Sequence, residues 1–210
     1  MAERRAESPP DVVTPAPAST AALLPRARGG DREALDRLFA SAAGRLALYV
    51  RLRLGPRLRE QVDEADVLQE TFLEAQRALA AFEPPGDPAR AGDAFGRWIC
   101  RIAENRVRGL ADHHGAQKRR PPGERARLSR VLELARASRT GPATAAAREE
   151  ERERLGAAIE TLPEDQREVL LARFFEDRTV DEIAARTGHG ATTVRRMLGR
   201  ATARLGELLE

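Results

Sequence analysis

Cysteine occurs once in this 210-residue chain, at Cys100, so an intramolecular disulfide is excluded and the cytoplasm, a reducing compartment, is the expected setting. Aromatic residues make up only 4% of the sequence, which leaves little material for sheets. No apolar run is long enough to cross a bilayer, and residues 1–25 hold no signal-peptide core, so neither a membrane span nor export is expected. A glycine loop that would cradle phosphates is missing, as is any nucleophile motif, which argues against an enzyme. Histidine is too sparse for a metal site: His113 and His114 beside Asp112 are adjacent and point apart on a helix, and His189 is distant. No cofactor or metal is expected.

Charge and helix formers are abundant. Charged residues make up 33% of the chain and the formal net charge is +3, while the isoelectric point near 9.9 reflects an excess of arginine. Polyanion binding then depends on where that excess is concentrated. Alanine, arginine, leucine and glutamate dominate, which favours an all-α fold.

Residues 1–25 are rich in proline, alanine and serine without periodicity and read as a disordered tail. Order is expected from Asp31, a candidate N-cap, with Leu35, Leu38 and Phe39 on one helical face. A second apolar series from Leu46 to Leu54 stops at Gly55-Pro56. Residues 61–82 follow, with Val67, Leu68, Thr71, Phe72, Ala75, Leu79 and Phe82 inward and Asp66, Gln69, Glu70 and Glu74 towards the flanks or outside. Three prolines and two glycines make residues 83–92 a loop. The next helix, over 94–111, turns Phe95, Trp98, Ile99, Ile102, Ala103 and Val107 inward and carries Arg97, Arg101, Arg106 and Arg108 elsewhere, with Lys118, Arg119 and Arg120 beyond it. Residues 121–147 read as a tether that includes a short helix over 128–137. Helix resumes at 148, and Pro163 opens a further one with Val169, Leu170 and Phe174 as its core.

The most specific stretch is 179–205. Ile183 and Ala184 mark the inner face of a short helix, and Gly188 stands where that helix must stop in a left-handed conformation. Val194, Met197, Leu198 and Ala201 then recur at helical spacing. This is the pattern of a helix-turn-helix, and it leaves Thr192, Thr193, Arg195, Arg196 and Arg200 outward. Hydroxyl and guanidinium groups at the start of such a helix suit the base edges and phosphates of a major groove.

Two segments together resemble a known family. Asp66-Val67-Leu68-Gln69-Glu70-Thr71-Phe72-Leu73, followed by Phe95, Trp98, Ile99, Ile102, Ala103 and Asn105, is similar to region 2 of bacterial RNA polymerase sigma factors of the extracytoplasmic-function type. Residues 159–173, the helix-turn-helix, and Arg200, Ala201 and Leu205 resemble region 4 of the same family. The likeness covers about residues 30–120 and 148–208. It implies two small helical domains, a region 2 bundle over 26–120 and a region 4 helix-turn-helix over 148–210, joined by a flexible linker at 121–147.

The resemblance also implies roles. Region 4 would read the minus-35 element through Thr192, Thr193, Arg195 and Arg196, with Arg200 on the backbone. Region 2 would read the minus-10 element through Asn105, with Arg101, Arg106, Arg108, Lys118, Arg119 and Arg120 along the strand and a base-capturing element in loop 83–92. Asp66, Gln69 and Glu70 would dock on the coiled coil of the largest polymerase subunit, and the flap is a further contact. Promoter DNA and core RNA polymerase are thus the implied partners, with room for an anti-sigma factor. After Asn105 the family often carries an aspartate four residues on and an early arginine run; here Gly109, Leu110, Ala111, Asp112, His113 and His114 intervene, which implies an altered promoter preference. The rival reading is a polymerase-independent dimeric regulator that uses the helix-turn-helix alone.

Overall fold

The computed structural model describes residues 19–112 and 142–210, and every α-helical or 3-10 segment among them belongs to an all-helical fold without strands. The α-helices are α1 (Thr20–Arg28), α2 (Arg32–Arg59), α3 (Glu64–Ala78), α4 (Ala91–Asp112), α5 (Pro142–Glu160), α6 (Glu164–Phe174), α7 (Val180–Thr187) and α8 (Ala191–Leu209). Helices α1–α4 form one bundle and α5–α8 the other. Lys118, Arg119, Arg120 and the expected helix over 128–137 lie outside the described residues.

Local chemistry starts α2 where the sequence predicts, whereas α3 starts at Glu64 rather than at residue 61. The Asp31 carboxylate accepts the Ala34 N–H at 3.0 Å, and Asp63 accepts from Ala65 at 2.9 Å. Each satisfies an amide that the first helical turn leaves without a partner. Helix α2 runs through both apolar series and breaks only at Gly55, whose φ of 63° is cheap for glycine. Helix α3 stops short of Phe82 because a 3-10 turn, Leu79–Ala81, replaces its last residues. Phe39 packs against Phe72 at 5.3 Å and Phe95 at 5.9 Å, while Trp98 lies 5.1 Å from Phe82. Trp98 is therefore part of the packing, as its spacing predicts.

Several expectations need correction. Residues 20–25 are not tail: they belong to α1, capped by Ser19, with Leu23, Leu24 and Ala27 buried. Burial of two leucines against α2 outweighs a composition that locally favours disorder. Loop 83–92 contains a 3-10 turn, Pro88–Arg90, and α4 already begins at Ala91. Helix α5 begins at Pro142, so the tether ends before residue 147. Pro163 is the N-cap of α6 rather than its first residue. Phe174 is 49% exposed and Phe175, at 8%, takes the core position instead. Gln69 is 3% exposed, not outward, because α3 turns that flank against its neighbours.

The core is shared. One apolar cluster joins Leu38, Leu46 and Tyr49 of the first bundle to Ile159, Leu171, Phe175 and Ala201 of the second. Gly156 permits the close crossing of α5 over α2: a Cβ there would stand 2.9 Å from Leu48 Cδ1. A smaller cluster of Val169, Ala172, Ile183 and Val194 holds α6, α7 and α8 together. No helix among the described residues is long and apolar enough to cross a membrane.

Candidate nucleic-acid interface

Helix α7 is only eight residues long, so its ends matter more than its interior propensity. Its start is a reciprocal capping box: Thr179 Oγ1 accepts the Glu182 N–H at 3.2 Å, and Glu182 Oε2 accepts the Thr179 N–H at 2.7 Å. The backbone hydrogen bond from Thr179 holds the Glu182 carboxyl below its usual range. Gly188 ends the helix at φ 72°, with its N–H bonded to the Ala184 carbonyl. The chain then re-enters helix at Ala191, and Gly190 at the N-cap has no side chain with which to close the first amides. Open amides and the positive end of the helix dipole favour a phosphate there.

Ile183 and Val194 are fully buried between α7, α8 and α6, and Ala184, Met197 and Leu198 pack around them. That seating fixes which side of α8 faces out. Thr192, Arg195, Arg196 and Arg200 are exposed and Thr193 is half-buried. Among the described residues no carboxylate pairs with Arg195, Arg196 or Arg200, so three guanidinium groups stand ready on one face.

The other expected sites are differently placed. Asn105 is exposed on α4. Arg101 donates through Nε to the Glu176 carbonyl at 2.5 Å and through Nη2 to the Asp177 carbonyl at 3.2 Å. Arg108 bonds Glu104 at 2.9 Å. Arg106 forms an ion pair with Glu70, which joins one expected DNA contact to one expected polymerase contact. Asp66 and Glu70 are half-buried on α3, and Gln69 lies beneath them.

The residues that sequence reasoning missed form a buried network. Glu104 and Glu176 are both 0% exposed. The Tyr49 hydroxyl lies 2.9 Å from Glu104 Oε2 and 3.0 Å from Glu176 Oε1, while Arg53 reaches Glu104 with both Nε and Nη2 at 2.5 Å. Arg186 sits 3.2 Å from Glu104 and 3.0 Å from Glu176. Burial alone would push the Glu104 carboxyl up, but hydrogen bonds and charge from Arg53 bring it down to about 2. Burial pushes the Tyr49 phenol well above its ordinary value, and the charges of Glu176 and Glu104 add to that. One signal was available: Glu104 falls on the buried stripe of α4, one turn after Cys100 and three residues before Val107. A charge at a core position needs partners, but the sequence does not show which ones.

A model of the sigma-70 region 4 family matches residues 152–205, which include α6, α7 and most of α8. The chain is 31% identical over 193 residues to the RNA polymerase sigma-H factor of Pseudomonas aeruginosa, covering 90% of this chain and 92% of the relative. It is 32% identical over 183 residues to the ECF RNA polymerase sigma-E factor of Escherichia coli K12, covering 85% and 88%. The chain belongs to the ECF RNA polymerase sigma factors. A solved structure of CnrH in complex with the cytosolic domain of CnrY shares 27% identity with this sigma factor, covering 91% of this chain and 97% of that one at a TM-score of 0.45. As a sigma factor the protein acts with RNA polymerase and promoter DNA in transcription initiation, and no observation favours a dimeric regulator that works without polymerase.

Proposed function

We propose that this sigma factor carries RNA polymerase to its promoters by placing α8 in the major groove of the minus-35 element. Thr192, Thr193, Arg195 and Arg196 take base edges and phosphates, and Arg200 takes the backbone. Asn105 on α4 reads the minus-10 element, with Arg101, Arg106, Arg108 and, beyond the described residues, Lys118, Arg119 and Arg120 along the separated strand. Asp66 and Glu70 dock α3 on the largest subunit's coiled coil, with Gln69 supporting them from beneath. An acidic strip orients a basic helical partner more than it adds affinity. The flap is a second polymerase contact, and the working compartment is the cytoplasm.

The observation that carries this reading is the unpaired arginine face of α8, held outward by buried Ile183 and Val194. The test is transcription from a cognate promoter with purified core polymerase. We expect Arg195→Glu with Arg196→Glu to abolish promoter use while melting and core binding stay at wild-type levels. Normal transcription by that variant refutes the assignment of the reading face.

A further inference from the structure

A helix end leaves carbonyls that need donors from elsewhere. At the end of α3, where the 3-10 turn Leu79–Ala81 leads into loop 83–92, the donor is Arg28, the last residue of α1. Its Nε donates to the Leu79 carbonyl at 3.3 Å, and its Nη2 donates to the Ala80 carbonyl at 3.4 Å and to the Phe82 carbonyl. A guanidinium suits this position because its donors form a fixed fork and take several acceptors at once. The side chain of Phe82 is buried at the same point, 5.4 Å from Phe95 and 5.1 Å from Trp98.

The far end of the loop meets the other end of the same helix. Asp87 caps the 3-10 turn Pro88–Arg90 by accepting the Ala89 N–H at 3.0 Å, and Ala91 is fully buried. At Gly92 a Cβ would stand 3.2 Å from Oγ1 of Thr20, the first residue of α1. Helix α1 therefore spans the loop from Thr20 to Arg28, with Leu23, Leu24 and Ala27 buried between the two contacts. Between those held ends Glu83, Pro84, Gly86 and Asp87 are exposed. The loop also starts beside the helix face that carries Asn105. That residue follows Trp98 by seven positions, which places it on the same side of α4 and about 10 Å further along.

We propose that Arg28 is a positioning residue for minus-10 recognition: α1 clamps both ends of loop 83–92, and the Arg28 fork fixes the exposed span 83–87 relative to Asn105, so that loop and amide receive bases of the separated strand together. The proposal rests on the reading of Asn105 and loop 83–92 as the minus-10 face. A flipped base loses its stacking and pairing, and a receiving site offsets that loss best when its groups already stand in place. Three prolines stiffen the loop, so the grip on its ends decides where it stands. Without the Arg28 fork the carbonyls of Leu79, Ala80 and Phe82 are free to turn while the Phe82 ring keeps the loop attached. Base discrimination then blurs, and contacts to the strand's phosphates remain.

Holoenzyme made from the full chain and purified core polymerase tests the clamp on a promoter it selects from random DNA, with each base of the minus-10 element substituted in turn and open complexes scored by permanganate reactivity. Arg28→Ala is expected to weaken the preference at one or two adjacent minus-10 positions by about fivefold or more, the effect of one base contact. Minus-35 preference, core affinity and far-UV circular dichroism are expected at wild-type levels. Arg28→Lys keeps the charge without the fork and should fall between wild type and Arg28→Ala. A uniform loss across all substituted promoters shows a structural role alone and overturns the proposal, as does an unchanged preference. Should Arg28→Ala lose helix, Arg28→Lys and Gly92→Ala, which presses on Thr20 at the loop's other end, carry the test. Both must then flatten the same positions, and folded variants with wild-type preference overturn the clamp. Glu83→Ala, on the exposed span, separates the two ideas. Altered preference in Glu83→Ala beside wild-type preference in Arg28→Ala refutes the clamp while the loop remains a reader. Wild-type preference in both refutes the loop reading and the clamp with it.

Discussion

The Tyr49 hydroxyl of α2 lies 3.0 Å from the carboxylate of Glu176, 127 residues further along the chain. A phenol has one proton to give, and Tyr49 also lies 2.9 Å from Glu104. It can donate to only one carboxylate at a time, so Arg53 and Arg186 must hold the remaining charge. This relationship couples the two bundles.

Glu104 supplies the pH dependence. Its carboxyl titrates near 4.5 in a free chain and at about 2 in the fold. A depressed carboxylate stabilises above its unfolded value, and that contribution disappears as pH falls from about 4.5 to about 2. The loss is on the order of 3 kcal/mol at most. Urea unfolding at pH 7 and pH 3 should show the deficit of Glu104→Gln relative to wild type shrink by about 2 kcal/mol at pH 3, where a carboxyl that titrates at about 2 is still mostly ionised. An equal deficit at both values would show that the carboxylate's charge is not what the fold uses.

Phe174 and Phe175 are neighbours with opposite fates, 49% and 8% exposed. Phe175→Ala should cost about 3 kcal/mol or more, whereas Phe174→Ala should stay within about 0.5 kcal/mol. Chemical denaturation of the two variants compares them directly, and a reversed order would place the register of α6 one residue off.

Gly188 takes φ 72° between α7 and α8. Any side chain there is strained, so Gly188→Ala should lower stability by about 1 kcal/mol, and Gly188→Asn by less because asparagine tolerates this region. Thermal melting monitored by circular dichroism reads both. An alanine variant as stable as wild type would mean that this turn is not left-handed.

Arg195, Arg196 and Arg200 can be sorted by role with holoenzyme and promoter duplex. Removing a base-reading arginine should cost about 1–3 kcal/mol and relax sequence preference at one position. Removing a phosphate contact should weaken all sequences alike and reduce the salt slope by about 1. Arg195→Ala and Arg196→Ala are expected to behave in the first way and Arg200→Ala in the second, as titrations at several salt concentrations would show.

Much of this molecule is local in origin and was therefore legible in one dimension. Asp31, the Thr179 start of α7, Gly188 and the stripe from Val194 to Ala201 act within a few residues of themselves, and periodicity and caps report such effects. The outward arginines of α8 follow from that stripe, because burying Val194 leaves Arg195 and Arg196 nowhere else to point. Helix α1, the exchange of Phe174 for Phe175 and the burial of Gln69 depend instead on what other helices bring to those side chains, and local propensity carries no record of it. The same holds for Glu104 and Glu176. In sequence they are two more carboxylates in a highly charged chain, and only the crossing of α2, α4 and the α6–α7 turn brings Tyr49, Arg53 and Arg186 close enough to make burying them possible. Caps and stripes are short-range and additive, so sequence alone determined most of the helices and the outward side of α8; the pairing of buried charges is long-range and cooperative, so tertiary structure alone decided how the two bundles meet.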